Sequence, residues 1–113
     1  MQQLPAAGFL DIAMVLFDRR KRYRVEGDSM LPLISEGDQL VVDEHAEISV
    51  GDIVIARHPF IANSEMVKRI ERIDPSGNCF LIGDNADAST DSRTFGPVSI
   101  HLIRGKVVSR LAF

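Results

Sequence analysis

Apolar residues in this 113-residue chain form one long run near the start and then short clusters separated by Gly, Asp, Asn and Pro. The long run, 6–17, contains Asp11 as its only charge and leads into Arg19-Arg20-Lys21-Arg22-Tyr23-Arg24. It predicts a short amphipathic helix with a solvated basic end, because cations near a helix C-terminus suit its dipole. After the cations the period changes. Short β-branched stretches at 23–26, 39–43, 53–57 and 79–82 read as strands, with turn signals at Gly27, Glu36-Gly37-Asp38, Gly51-Asp52 and Pro75-Ser76-Gly77-Asn78. Segment 66–73 has helical spacing at Met66, Ile70 and Ile73, but turns on both sides limit it and favour a strand with Lys68 and Ile70 on one face. Segment 29–34 reads as a turn or single helical turn, 83–97 as a loop rich in Asp, Asn, Ser and Thr, and 106–111 as a last strand preceded by Gly105. Many short strands joined by turns predict a compact, mainly β domain with a short N-terminal helix. The expected division is an N-terminal helix and basic segment at 1–22 and a single β domain at 23–113.

Composition narrows the class. At 45% hydrophobic and 26% charged residues the composition is that of an ordinary soluble globular protein. A net charge of −3 provides no general nucleic-acid footprint. Cys79, the only cysteine, cannot form an internal disulfide. The run at 6–17 is shorter than the ~20 residues a membrane span needs, and its cations follow it where a secretory signal would place them first. The expected location is therefore cytoplasmic. The sharper reading of the segment is contact with an anionic membrane surface through residues 6–24.

Candidate chemistry lies in three places. Ser29 sits in Gly27-Asp28-Ser29-Met30-Leu31-Pro32, a tight turn that could expose a hydroxyl beside free backbone N–H groups. Capping of the following turn is the plainer role for such a serine. Lys68, among Val67, Ile70 and Ile73, could be desolvated enough to lose its proton near neutral pH and act as a base; the plainer role is a solvated cation in a charged strand. The segment from Gly83-Asp84-Asn85 to Asp91-Ser92-Arg93 is rich in side chains that bond nearby backbone. Within it Ser89 could donate a hydrogen bond to a neutral lysine, and Asp91 could pair with Arg93. A calcium loop is the weaker reading, since Asp84, Asp87 and Asp91 miss the EF-hand spacing.

Taken together, these segments resemble the type I signal peptidase family. Val25-Glu26-Gly27-Asp28-Ser29-Met30-Leu31-Pro32 resembles its nucleophile box and Val67-Lys68-Arg69-Ile70 its lysine box. Gly83-Asp84-Asn85 through Asp91-Ser92-Arg93, then Phe95-Gly96-Pro97-Val98, resembles its C-terminal box, and Gly105-Lys106-Val107 resembles its closing strand. The boxes occur in the family's order. The resemblance implies a serine endopeptidase without a cofactor, with Ser29 as nucleophile, Lys68 as general base and Ser89 orienting the lysine. Asp84, Asp91 and Arg93 would give structural support. Some members carry a second serine as oxyanion donor where this chain has Gly27, so the backbone N–H of Ser29 would serve. The implied partner is a precursor protein whose N-terminal leader is removed. The short connection 73–79 leaves no room for the β-domain often inserted there. Together with Ala56-Arg57-His58-Pro59 it resembles the nickel-type superoxide dismutase maturation proteases, whose substrate would be that dismutase's precursor.

Other chemistries compete with this one. A self-cleaving regulatory domain like those of SOS-response repressors would share the Ser-Lys pair, with Ala7-Gly8 as an internal site. A binding module would keep the pair for structure alone. A Ser-His-Asp triad through His45, His58 or His101 lacks motif support near Ser29, and the histidines with Cys79 match no common metal-ligand spacing.

Overall fold

The computed structural model describes residues 4–16 and 20–111. The expected helix end at Phe17 and the first cation of the basic run, Arg19, lie outside the described residues. The elements in chain order are α1 (Phe9–Leu16), β1 (Lys21–Arg24), β2 (Gln39–Asp43), β3 (Ile53–Arg57), β4 (Glu65–Ile73), β5 (Asn78–Ile82), α2 (Ser92–Phe95), β6 (Val98–Ser99) and β7 (Ile103–Arg110). The strands form one antiparallel sheet in the order β1-β2-β7-β3-β4-β5-β6. The sheet curls: Tyr23 Oη on β1 donates to the Glu65 carbonyl on β4 at 3.4 Å, although three strands separate them in sheet order.

Both faces of the sheet are covered, which suits its near-continuous apolar central strands. One cluster joins Val25, Met30, Ile34, Leu40, Val42, Ile53, Ile55, Val67 and Val107. Here the turn after β1 folds under the sheet and buries Met30 and Ile34 completely. The other cluster joins Val54, Ala56, Ile70, Cys79, Leu81 and Val98. Strand β4 serves both, since period-2 alternation sends Val67 to the first cluster and Met66 and Ile70 to the second. Its apolar residues have helical spacing, yet register with β3 and β5 settles it as a strand. Lys68 shares the face of Met66 and Ile70 and is only 5% exposed.

Three expectations are corrected. The basic run is not the solvated end of a helix, since Lys21–Arg24 forms edge strand β1, paired with β2 from Lys21↔Val42 to Arg24↔Gln39. Edge strands tolerate outward charges, and Arg20 just before it is paired with Asp43. Second, the region 83–97 is not all loop; it contains a 3-10 turn at Ala86–Ala88 and the one-turn helix α2, capped by the Asp91 side chain. Third, Gly105 does not precede the last strand but lies inside it. A Cβ there would stand 2.6 Å from Val42 Cγ1 and 2.9 Å from the Asp43 carbonyl oxygen, so the glycine is needed for close approach of β2 and β7.

The residues before β1 are tied to the sheet. Leu4 packs against the first cluster. Ala7 N–H donates to the Arg110 carbonyl at 2.7 Å, and Arg110 N–H donates to the Pro5 carbonyl at 2.9 Å. No helix among the described residues is long and apolar enough to cross a membrane.

Gly105→Ala is expected to lower unfolding free energy by about 1–3 kcal/mol in urea denaturation, the cost of forcing a methyl into a filled contact. An unchanged midpoint would mean that β2 and β7 separate freely.

Candidate active site

The site is assembled where β5 runs out of strand partners. β6 pairs only with Asn78 and Cys79, which leaves the N–H groups of Leu81 and Gly83 facing the segment that follows. Side chains take the place of a ladder there. Ser92 Oγ accepts from Leu81 N–H at 2.9 Å, and Asp91 Oδ2 accepts from Gly83 N–H at 2.8 Å. The region 83–93 is thus fastened to the sheet by the residue types that made it look like a loop.

Asp91 is the centre of this fastening. It is 1% exposed and also accepts from Arg93 at 2.6 Å through Nη2 and at 3.0 Å through both Nε and the backbone N–H. Arg93 Nη2 in turn donates to the Gly83 carbonyl at 3.0 Å. Burial alone would raise the Asp91 carboxyl. Hydrogen bonds from Arg93, Gly83 and Ser89 outweigh it and hold the group well below the usual carboxylate range. Asp91 therefore stays ionised, and its stabilisation is present above the ordinary 3.8 and lost only as pH falls through its depressed folded value.

Ser89 lies between this carboxylate and Lys68. Its Oγ donates to Asp91 Oδ2 at 2.6 Å and accepts from Lys68 Nζ at 3.0 Å. The expected donation from Ser89 to the lysine is reversed. A hydroxyl has one proton, and the ionised carboxylate is the stronger acceptor, so the hydrogen bond to lysine runs the other way. An amine that donates one N–H to Ser89 keeps its lone pair free for another direction. Burial lowers the Lys68 pKa from the ordinary 10.5, opposed by the charge of Asp91 and assisted by that of Arg93. The protonated form is thus penalised in the folded protein, a cost relieved as pH rises from the folded value toward 10.5.

Ser29 is brought to the same loop through its backbone. Its carbonyl accepts from Asn85 N–H at 2.8 Å, and Asn85 Nδ2 donates to the Asp28 carbonyl at 3.1 Å. Gly83 allows the approach: a Cβ on it would stand 2.2 Å from Ser89 Oγ and 2.7 Å from the Ser29 carbonyl oxygen. Ser29, Gly83 and Ser89 are therefore neighbours, with Lys68 bonded to the last of them. Ser29 Oγ makes no hydrogen bond among the described residues, so Lys68 donates to Ser89 and not to Ser29. The Ser29 N–H is likewise unengaged among them. Gly27 has φ 79°, the left-handed conformation the turn requires, and its N–H points to Glu36 Oε1 at 3.3 Å.

Asp84 supports the loop through a residue that sequence reasoning missed. Arg69 forms a two-pronged pair with it, Nε–Oδ1 at 2.9 Å and Nη2–Oδ2 at 2.8 Å, and its Nη1 reaches the Gly51 carbonyl at 2.8 Å. The pair is largely buried. An arginine beside the buried lysine, facing a loop with spare carboxylates, was the available signal.

The remaining candidates lie elsewhere. His45 and His101 are exposed. His58 Nδ1 accepts from Phe60 and Ile61 N–H at 3.0 and 3.1 Å and is not bonded to Ser29. Among the described residues no group of three or more His, Cys, Asp or Glu could hold a metal ion. Ala7, beside the considered self-cleavage bond, has its N–H held by Arg110 on β7.

Known proteins are similar to this chain over most of its length. The Peptidase S24-like family model matches residues 9–108. The mitochondrial ATP-independent inner membrane protease subunit 1a of Arabidopsis thaliana is 33% identical over 113 residues, covering 77% of this chain and 67% of that protein. Mitochondrial inner membrane protease subunit 1 of Xenopus tropicalis is 33% identical over 108 residues, with 75% and 65% covered. The Homo sapiens subunit 1 is 32% identical over 108 residues with the same coverage. The chain spans about two thirds of the length of these relatives. It belongs to the Peptidase S24-like family, a family of serine peptidases.

Proposed function

We propose that the chain is an endopeptidase that removes an N-terminal leader from a precursor protein through Ser29 and Lys68. The observation that carries this reading is the part-buried chain Lys68 Nζ–Ser89 Oγ–Asp91 Oδ2 beside the backbone of the Ser29 turn. Ser29 Oγ attacks the scissile carbonyl carbon while its proton passes to the lone pair of neutral Lys68. The resulting ammonium gives that proton to the leaving amine nitrogen as the C–N bond breaks, and an ester to Ser29 remains. Lys68 then takes a proton from water, whose oxygen attacks the ester, and returns that proton to Ser29 Oγ as the C–O bond breaks, which releases the acid and restores the neutral amine. The unengaged Ser29 N–H is the donor for the oxyanion, while Gly27 contributes the turn. Ser89 acts as a positioning residue that fixes the Nζ without supplying a proton.

The substrate strand has a natural place. β5 pairs with β4 only from Arg69 onward, whereas β3 pairs with β4 from Glu65 to Arg69. Glu65–Lys68 therefore has β3 on one side and no strand on the other. An extended peptide added to that edge would run to the lysine, with main-chain bonds supplying affinity. The finer reading is that the precursor is a nickel-type superoxide dismutase. Its support is the likeness of Ala56-Arg57-His58-Pro59 and the tight turn between β4 and β5, where Asp74 bonds Asn78 across four residues. Incubation with that precursor and N-terminal sequencing of the product tests it.

A fluorophosphonate probe tests the chemistry without a known substrate. Ser29→Ala is expected to abolish labelling, and Lys68→Ala to slow it roughly 10³-fold or more, both with unchanged circular dichroism. Labelling of Lys68→Ala at the normal rate would remove the lysine from the mechanism. In the unmodified protein the labelling rate should rise with pH along a one-proton limb whose midpoint lies below 10.5, since burial lowers the lysine. A midpoint at or above that value would contradict a desolvated base. Gly83→Ala should slow labelling about a hundredfold, because its methyl displaces Ser89 and the Ser29 backbone together.

A further inference from the structure

The loop between β3 and β4 holds two large apolar side chains out in solvent, Phe60 at 75% and Ile61 at 57% exposure. The tip is braced. His58 Nδ1 accepts from both their N–H groups, His58 N–H donates to the Ser64 carbonyl at 2.8 Å, and the rings of His58 and Phe60 rest against Phe95 at 5.0 and 6.4 Å. A braced projection of this kind is convex, and so unlike the concave sites that enclose a ligand side chain. Just behind it Arg57, Asn63, Glu65 and Arg104 line a shallow, polar cavity of about 350 Å³. Glu65 is 4.0 Å from Arg104, while Arg57 has no ion-pair partner among the described residues. Nearby, Lys21, Arg22 and Arg104 border a second cavity together with Glu44 and Glu65. The local balance is cationic on a chain whose net charge is −3.

We propose that this loop tip docks the protein on an anionic lipid bilayer, with Phe60 and Ile61 entering the interface and Arg57 and Arg104 meeting the headgroup phosphates. Apolar side chains projecting beyond a rim of guanidiniums match the two layers such a surface presents, phosphate outside and hydrocarbon beneath. The segment is separate from residues 6–24. It joins β4 directly, and Lys68 follows Glu65 by roughly 10 Å at the strand rise, so the open edge would lie close to the bilayer. The proposal stands whether or not Ser29 and Lys68 carry the peptidase chemistry.

The test is co-sedimentation of the whole chain with phosphatidylcholine vesicles with and without 30 mol% phosphatidylglycerol, chosen as roughly a cellular anionic fraction. Binding is expected only with the anionic lipid and should weaken as salt rises. Phe60→Ser with Ile61→Ser should lower it about tenfold or more, and Arg57→Gln with Arg104→Gln severalfold, with circular dichroism unchanged. Three results overturn the proposal. One is no preference of the unmodified chain for anionic vesicles. Another is binding that survives both double variants but is lost in Phe9→Ser with Leu10→Ser, which would assign the contact to α1, whose Phe9 and Leu10 are exposed. The third is normal vesicle binding by the Phe60/Ile61 variant with an increased KM for precursor, which would make the tip a peptide contact.

Discussion

The site depends on one carboxylate kept ionised inside the protein. Asp91 accepts from Ser89, Gly83 and Arg93 at once, so it fixes the direction of the Ser89 hydroxyl, the path of the loop and the end of β5 together. Its charge lies inside, and the arginine that neutralises it stands at the surface, with 42% of its side chain exposed against 1% for the aspartate. Removing one partner of such a pair costs more than the pair itself contributes, since a desolvated charge is left behind. The lysine gains from the arrangement indirectly. It has a hydroxyl to donate to and a carboxylate one step further away, whose attraction is too weak to offset burial.

The rest of the architecture serves that arrangement. Two loops meet at Gly83, one carrying Ser29 and the other Ser89, and each is held by the same economical device of side chains bonding backbone. Met30 and Ile34 anchor the first in one apolar cluster, while α2 and Phe95 anchor the second against the other. The Arg69–Asp84 pair ties the second loop to the strand of the lysine itself. The proposed catalytic groups thus come from two distant parts of the chain, and their relative placement is fixed by the sheet between them.

Much of this was legible in the sequence, for physical reasons that can be named. β2 and β3 were read at their observed bounds because each is a β-branched run ending at a turn signal. The placement of Lys68 with Ile70 on one face followed from period-2 alternation, once flanking turns had limited β4. Edge strand β1 was legible only in part: the strand read at 23–26 meets it at Tyr23 and Arg24, but Lys21 and Arg22 were read as a solvated basic end because backbone pairing leaves no side-chain pattern. Gly105 was read as punctuation because a glycine that permits two strands to touch looks locally like one that ends a strand. The direction of the Ser89 hydrogen bond was equally hidden, since it depends on Asp91 being both buried and charged. Arg69 was passed over as another cation in a charged strand, because alternation puts it on the face opposite Lys68 and its partner Asp84 is fifteen residues away in the chain.

Comparison with the mitochondrial inner membrane protease subunits places the chain in its family without naming its substrate. What the fold adds is physical support for the proposed lysine base: surroundings that bury Lys68, one fixed hydrogen bond and a lone pair left unused. The most direct test of that account is a titration of Lys68 Nζ by NMR, using 15N-labelled lysine and assigned by comparison with Lys68→Arg. The account predicts a midpoint clearly below 10.5 that the other lysines do not share. A Lys68 that titrates with the exposed lysines would contradict it.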